Sequence, residues 1–208
     1  KWFKLYIAVF LVFLYAPGLL LPVFAINDSS IVSFPLKGFT LNWFNVLWET
    51  EALHEATKNS LLIAVSTAII STSLGILAAR ASSRYKFRGQ KAVMGFIMIP
   101  LVLPEIIVGV SLLVVIVQMG FDLSLWTIVL GHVLICTPFC VAILSSAFLN
   151  LDQSLEEASF DLGQTKLATF WLVTMPLVLP GVVSSMLISF TISLDEFIIA
   201  FFLAGTEP

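Results

Sequence analysis

The sequence predicts an all-α protein that crosses a membrane several times, and three observations carry that expectation. Hydrophobic residues make up 59% of the chain and charged residues 11%, against about 25% charged in a soluble globular domain. Mean hydropathy is +1.05. The few charges fall between long uncharged stretches, each reaching the roughly 20 apolar residues that a membrane helix needs.

Five spans follow in chain order. Residues 5 to 27 carry no charge and give a first span near 5–26. This stretch exceeds the apolar region of a signal peptide, about 7–15 residues, and no clear small-residue cleavage site follows. A signal anchor or first span is therefore favoured. Residues 59 to 79 are also uncharged and give the second span. Asn59, Ser66 and Ser73 recur along it at seven-residue spacing, beside Ser60, Thr67 and Ser71. Such small polar faces let membrane helices approach closely. Residues 92 to 121 hold one charge, Glu105, and give a span over 92–118. Residues 123 to 151 hold none apart from neutral His132 and give a span over 125–149. Pro100, Pro104 and Pro138 are expected to kink or break these two helices. Residues 167 to 206 hold only Asp195 and Glu196, and the fifth span is placed at 177–203. The odd count and the abrupt "LAGTEP" predict a sixth span beyond Pro208.

Lys and Arg set the orientation. Arg80, Arg84, Lys86, Arg88 and Lys91 crowd residues 80 to 91 with no acid among them, so that loop is expected in the cytoplasm, with the N-terminus on the same side. Residues 27 to 58 carry more acid than base and are expected outside. Alternation puts residues 150 to 176 in the cytoplasm.

Composition also excludes. A net charge of −3 gives no support for nucleic-acid binding. Cys136 and Cys140 sit four apart in an apolar run and read as buried thiols. With His132 they share a helical face that could hold a metal, but no fourth ligand is evident and core packing is preferred. Glu51, His54 and Glu55 have helical spacing and read as a solvated face. No phosphate-binding loop of the Gly-x-x-x-x-Gly-Lys-Ser/Thr type occurs, so any ATP is bound by another chain.

The polar stretch over residues 150 to 176 stands apart. It reads as two short helices. Asp152 or Ser154 caps the first, with Glu156 and Glu157 in its first turn, where the helix dipole favours anions. Gly163 supplies a left-handed turn. Thr165 caps a second helix through about Val173, and Pro176 and Pro180 mark the return to the membrane. A helix lying on lipid usually carries Lys and Arg on its polar face. Here Lys166 stands alone against Asp152, Glu156, Glu157 and Asp161, which favours a protein partner.

Glu157-Ala158-Ser159, three residues, Gly163, nine residues, Val173-Thr174-Met175-Pro176 resembles the EAA loop of ABC importer permeases. Ser159, Val173 and Met175 replace the Ala, Ile and Leu of that family's pattern. "RYKFRG", "PEIIVGVSLLVV" and "SFTISLDEFIIAFFLAG" are similar to the second permease subunit of spermidine- and putrescine-type importers. The resemblance implies that residues 1–208 are a single permease domain whose family core has six helices, C-terminally incomplete here. It implies that the 150–176 loop is a coupling helix docked in a partner ATPase, with Glu157, Ala158, Ser159, Gly163, Val173, Met175 and Pro176 in that role. ATP and Mg would sit on the ATPase. The other implied partners are a second permease, an extracytoplasmic binding protein and membrane lipid, in a bacterial inner membrane with the N-terminus cytoplasmic.

Glu105, Asp195 and Glu196 are costly at membrane depth, about 2.5–3.5 kcal/mol for a carboxylate at a helix centre. Ser184, Thr191 and Asp195 share one face, and Ser185, Ser189, Ser193 and Glu196 another. These acids either hold helices together or line a cation route. No constellation of His, Ser or Cys with a base and an orienting group suggests catalysis, so no catalytic residue is expected. The function expected is transport of a small solute, a polyamine by resemblance. The alternatives are a membrane scaffold or enzyme subunit, or an importer of the same class with another solute.

Overall fold

The computed structural model describes residues 2–205. It falls into two compact units, Lys1–Glu55 and Ala56–Pro208. In the first, α1 (Trp2–Ala25) is apolar on every side and has no buried residue, as suits a helix whose solvent is hydrocarbon. A short connection follows, in which the Asn27 side chain accepts the Lys37 N–H at 3.0 Å and its carbonyl accepts the Trp43 indole N–H at 2.9 Å. The helix α2 (Asn42–Glu49) precedes α3 (Glu51–Arg84). His54 bonds the Leu47 carbonyl through Nε2 at 3.2 Å and packs edge-on against Trp48.

The second unit takes in α3 from Ala56 onward and the helices after it: α4 (Gln90–Met98), α5 (Glu105–Gln118), α6 (Leu125–Leu149), α7 (Gln153–Asp161), α8 (Lys166–Thr169), α9 (Met175–Asp195) and α10 (Ile198–Leu203). Among the described residues, four helical stretches are long and apolar enough to cross a membrane: α1, α3, α6 and the run from Lys166 to Asp195. The pair 90–101 and 105–118 makes a fifth if taken as one span.

The third expected span breaks at its prolines, as expected, and the bounds of the fifth need correction. The stretch over 92–118 is two helices bent by 103° at residues 102–104. The residue before a proline is pushed out of the α region, and Pro104 lies extended at the head of α5. Pro138 leaves α6 a single helix. The span placed at 177–203 starts earlier and ends earlier: its helix begins at Lys166, passes through a π turn over Phe170–Thr174 and stops at Asp195. Pro176 therefore marks no break. The Met175 N–H reaches back to the Phe170 carbonyl, and this wider bonding carries the helix past a residue that has no donor.

The core lies where α6 meets α9 and where α10 folds back on α5 and α6. Ile63, Val108, Val129, Ile135, Ile199 and Leu203 form one apolar cluster. Leu144, Phe148, Val178 and Val182 lead a second. Large apolar residues cover the outside, among them Leu77, Val117, Leu130 and Phe201, as a lipid-facing surface requires. Ser185, Ser189 and Ser193 are buried. His132 Nδ1 lies 2.7 Å from the Ser193 hydroxyl, and Cys140 Sγ lies 2.9 Å from that of Ser189. Cys136 donates to the Ser189 carbonyl at 3.7 Å. The expected packing role of this face therefore has named partners. Among the described residues no group of three or more His, Cys, Asp or Glu is placed to hold a metal.

The close approach of α3 and α6 depends on Gly75, where an added Cβ would sit 2.7 Å from Cys140 Cβ and 3.2 Å from its backbone carbon. Neither atom can swing aside. Gly75→Ala is expected to cost about 1–3 kcal/mol by overpacking. It should lower the midpoint of thermal unfolding in detergent; an unchanged midpoint would contradict the contact.

Candidate functional site

Two regions gather the residues expected to act. The first is the polar segment between α6 and α9. The Asp152 carboxylate accepts the Ser154 N–H at 3.0 Å and caps α7. That backbone bond holds the Asp152 carboxyl below the ordinary carboxylate range. A lowered carboxylate contributes stability above its ordinary pKa and loses it as pH falls through the folded value. The cap therefore stays intact near neutrality and weakens only in acid.

The end of α7 is fixed by Gly163 at φ +83°. The Gly163 N–H donates to the Phe160 carbonyl at 2.8 Å and the Gln164 N–H to the Ser159 carbonyl at 3.1 Å, the paired bonds of a Schellman turn. The Thr165 hydroxyl then accepts the Ala168 N–H at 3.2 Å and caps α8. The second short helix expected here has no end of its own, since it runs through the π turn into α9.

The motif residues divide by face. Glu157 and Ala158 are exposed on α7, and Leu162 is 84% exposed at its end. Ser159 is buried, its hydroxyl 2.9 Å from that of Thr169. Val173 is half-buried in the π turn, Met175 packs against the second apolar cluster, and Pro176 is exposed. Glu157 lines a cleft of about 200 Å³ with Arg80, Arg84 and Lys166.

Sequence reasoning missed the residue that anchors this segment. Glu156 is buried, and its Oε2 lies 2.7 Å from Arg84 Nε at the end of α3. Its Oε1 accepts the Thr174 hydroxyl at 2.5 Å. Arg84 also donates to the Leu151 carbonyl at 3.3 Å, and Arg80 stacks 4.2 Å above the Phe170 ring. No local signal marks it: Glu156 and Ser159, polar at i, i+3, are buried, while Leu155 and Leu162 beside them face outward. That pattern is amphipathicity turned inside out.

The second region is a cavity of about 550 Å³, lined in part by Glu105, Asp195 and Glu196. The acids reach it from two breaks in the helices. Glu105 opens α5 just after the 103° bend. Asp195 ends α9, and Glu196 lies in the gap before α10. Glu105 and Asp195 are exposed, and Glu196 is half-buried. Glu196 Oε1 also accepts the Ile199 N–H at 2.9 Å, which ties it to the start of α10. Pro100, Phe139 and Phe197 are among the apolar walls. The two serine-rich faces of α9 separate: Ser184 and Thr191 bond their own helix carbonyls and stay exposed with Asp195, while Ser185, Ser189 and Ser193 are buried. Carboxylates at broken helices beside apolar walls can replace part of a cation's hydration.

Comparison with known proteins agrees with this architecture. Residues 71–208 match the family described as binding-protein-dependent transport system inner membrane component. The chain is 38% identical over 200 residues to the putrescine transport system permease protein PotI of Escherichia coli (strain K12), covering 93% of this chain and 71% of that protein. It is 35% identical over 195 residues to the spermidine/putrescine transport system permease protein PotC of Haemophilus influenzae, covering 94% and 76%. Among solved structures, a bacterial ABC transporter involved in the import of the acidic polysaccharide alginate superposes with a TM-score of 0.77 at 16% identity, covering 97% of this chain and 72% of that one. That likeness concerns the fold.

Proposed function

The chain belongs to the family of binding-protein-dependent transport system inner membrane components, and from that membership we propose that it is the polyamine-passing permease subunit of an ATP-driven importer. The observation that carries the choice of solute is the convergence of Glu105, Asp195 and Glu196 on one cavity. A polyamine is an elongated polycation. Its charges lose water on entering an apolar path, and carboxylates along the way lower that cost, because charge attraction strengthens as the dielectric falls. A few spaced acids suit transit better than a closed cage, which would slow release. The relatives named for putrescine and spermidine transport support the same solute class.

In this reading α7 docks on a separate ATPase through its exposed face, with Glu157, Ala158 and the Gly163 turn at the contact and Ser159, Val173, Met175 and Pro176 shaping the segment behind it. ATP and Mg are held by that ATPase. A second permease completes the path, an extracytoplasmic binding protein delivers the solute, and the two access states exchange as a population shift. Residues 1–208 then form one permease domain, whose N-terminus and α7 lie in the cytoplasm.

Isolation of the tagged chain from its own membranes tests the assembly. It should bring down an ATP-binding-cassette ATPase and a second permease, and the complex should hydrolyse ATP faster when loaded binding protein is added. A complex with no ATPase would leave the scaffold reading in place. Orientation is read by labelling. With the chain expressed without the ATPase, Gln164→Cys should react with an impermeant thiol reagent only in opened cells, and Ser30→Cys should react in intact ones. Both positions are exposed, and the native Cys136 and Cys140 are buried. Labelling of Gln164→Cys in intact cells would overturn the orientation.

A further inference from the structure

We infer that Glu156 is the joint through which displacement of α7 reaches α3 and α9. The inference rests on the reading of α7 as an ATPase-docking helix. Three elements meet at this one carboxylate. Its Oε2 holds Arg84, the last residue of α3, at 2.7 Å, and its Oε1 accepts the Thr174 hydroxyl from the π turn at 2.5 Å. Arg84 reaches further, to the Leu151 carbonyl ahead of α7 at 3.3 Å. The side chains of Arg84 and Glu156 are only 11% and 10% exposed.

The covalent route from α7 to α9 is a poor lever. It passes through the Gly163 turn before the helix that begins at Lys166. Motion of α7 along that route alone would be absorbed at that turn. The Glu156 carboxylate bypasses it. Its two contacts are charge-assisted, and such bonds are shorter and stronger than neutral ones. A second side-chain tie across the turn, between Ser159 and Thr169 at 2.9 Å, is neutral. Glu156 also lies on the buried face of α7, whereas Glu157, Ala158 and Leu162 are exposed. Docking and transmission therefore use different faces of one helix, and a change at Glu156 leaves the docking face in place.

The test uses the complete transporter in proteoliposomes, with its ATPase, second permease and binding protein. Glu156→Gln keeps the shape and removes the charge. Thr174→Val removes one hydroxyl and leaves the ion pair, so it carries the test if Glu156→Gln does not assemble. Three quantities are read: ATPase retained on isolation, hydrolysis with and without loaded binding protein, and solute taken up per ATP hydrolysed. ATPase retention should match the native complex, while uptake per ATP should fall at least tenfold for Glu156→Gln and severalfold for Thr174→Val. Unchanged uptake per ATP with only a lower unfolding temperature would overturn the joint, and so would loss of the ATPase from the Thr174→Val complex. A native complex whose uptake ignores ATP would instead overturn the docking reading, and it would be seen before any variant is made.

Discussion

Gly163→Pro is expected to leave the chain in the membrane and to abolish ATP-driven uptake. Gly163 sits at φ +83°, and proline fixes φ near −65°. The substitution also removes the N–H that bonds the Phe160 carbonyl. Both losses fall on the turn that sets the angle between α7 and α8. Proline at a φ it cannot adopt destabilises by more than about 1 kcal/mol, here in a segment outside the spanning helices. Gly163→Ala is the control. An added Cβ meets nothing within 4 Å, so alanine bears only the left-handed penalty, about 1–2 kcal/mol. Uptake should rank native, Ala, Pro, with the proline variant at background. Equal uptake in the alanine and proline variants would show that the angle of this turn does not matter. Glu157→Lys should act differently, weakening ATPase retention by reversing a charge on the exposed face.

Glu105→Gln combined with Asp195→Asn is expected to slow cation uptake roughly ten- to hundredfold, with assembly and unfolding temperature unchanged. Each replacement keeps shape and removes charge. A contact to a charged group contributes about 1.5–3 kcal/mol, and every 1.4 kcal/mol is about tenfold. Glu196 stands in both accounts of these acids, because its carboxylate caps α10 as well as lining the cavity. Glu196→Gln retains an oxygen for the Ile199 N–H and should change uptake alone. Glu196→Ala removes that oxygen and should also lower the unfolding temperature, since α10 packs on α5 and α6. If the Glu105 and Asp195 variants lose stability before uptake, the acids serve packing.

The spanning helices were legible because hydrocarbon demands long uncharged runs, and α6 was placed at its observed ends by that rule alone. The Gly163 turn was legible because few residues tolerate its φ. What the sequence left open was the consequence of proline. Pro100 and Pro104 stand at a 103° bend, Pro138 bends nothing enough to end α6, and Pro176 is carried past by a π turn. The difference lies in whether neighbouring backbone takes up the lost bond, which local sequence does not state. Glu105 lies 90 residues from Asp195, and only the fold brings the two to one cavity. Glu156 was hidden for the same reason: its partners are 72 and 18 residues away. Glu157, its neighbour, carries the motif.

Uptake of labelled putrescine and of a labelled anion of similar size, measured with ATP hydrolysis in the same proteoliposomes, tests the central claim most directly. The complete transporter should take up putrescine only with ATP and loaded binding protein, and the Glu105→Gln, Asp195→Asn variant should lose that uptake while still hydrolysing ATP. Normal putrescine uptake in that variant, or native uptake of the anion in place of putrescine, would contradict a carboxylate-lined path for a polycation.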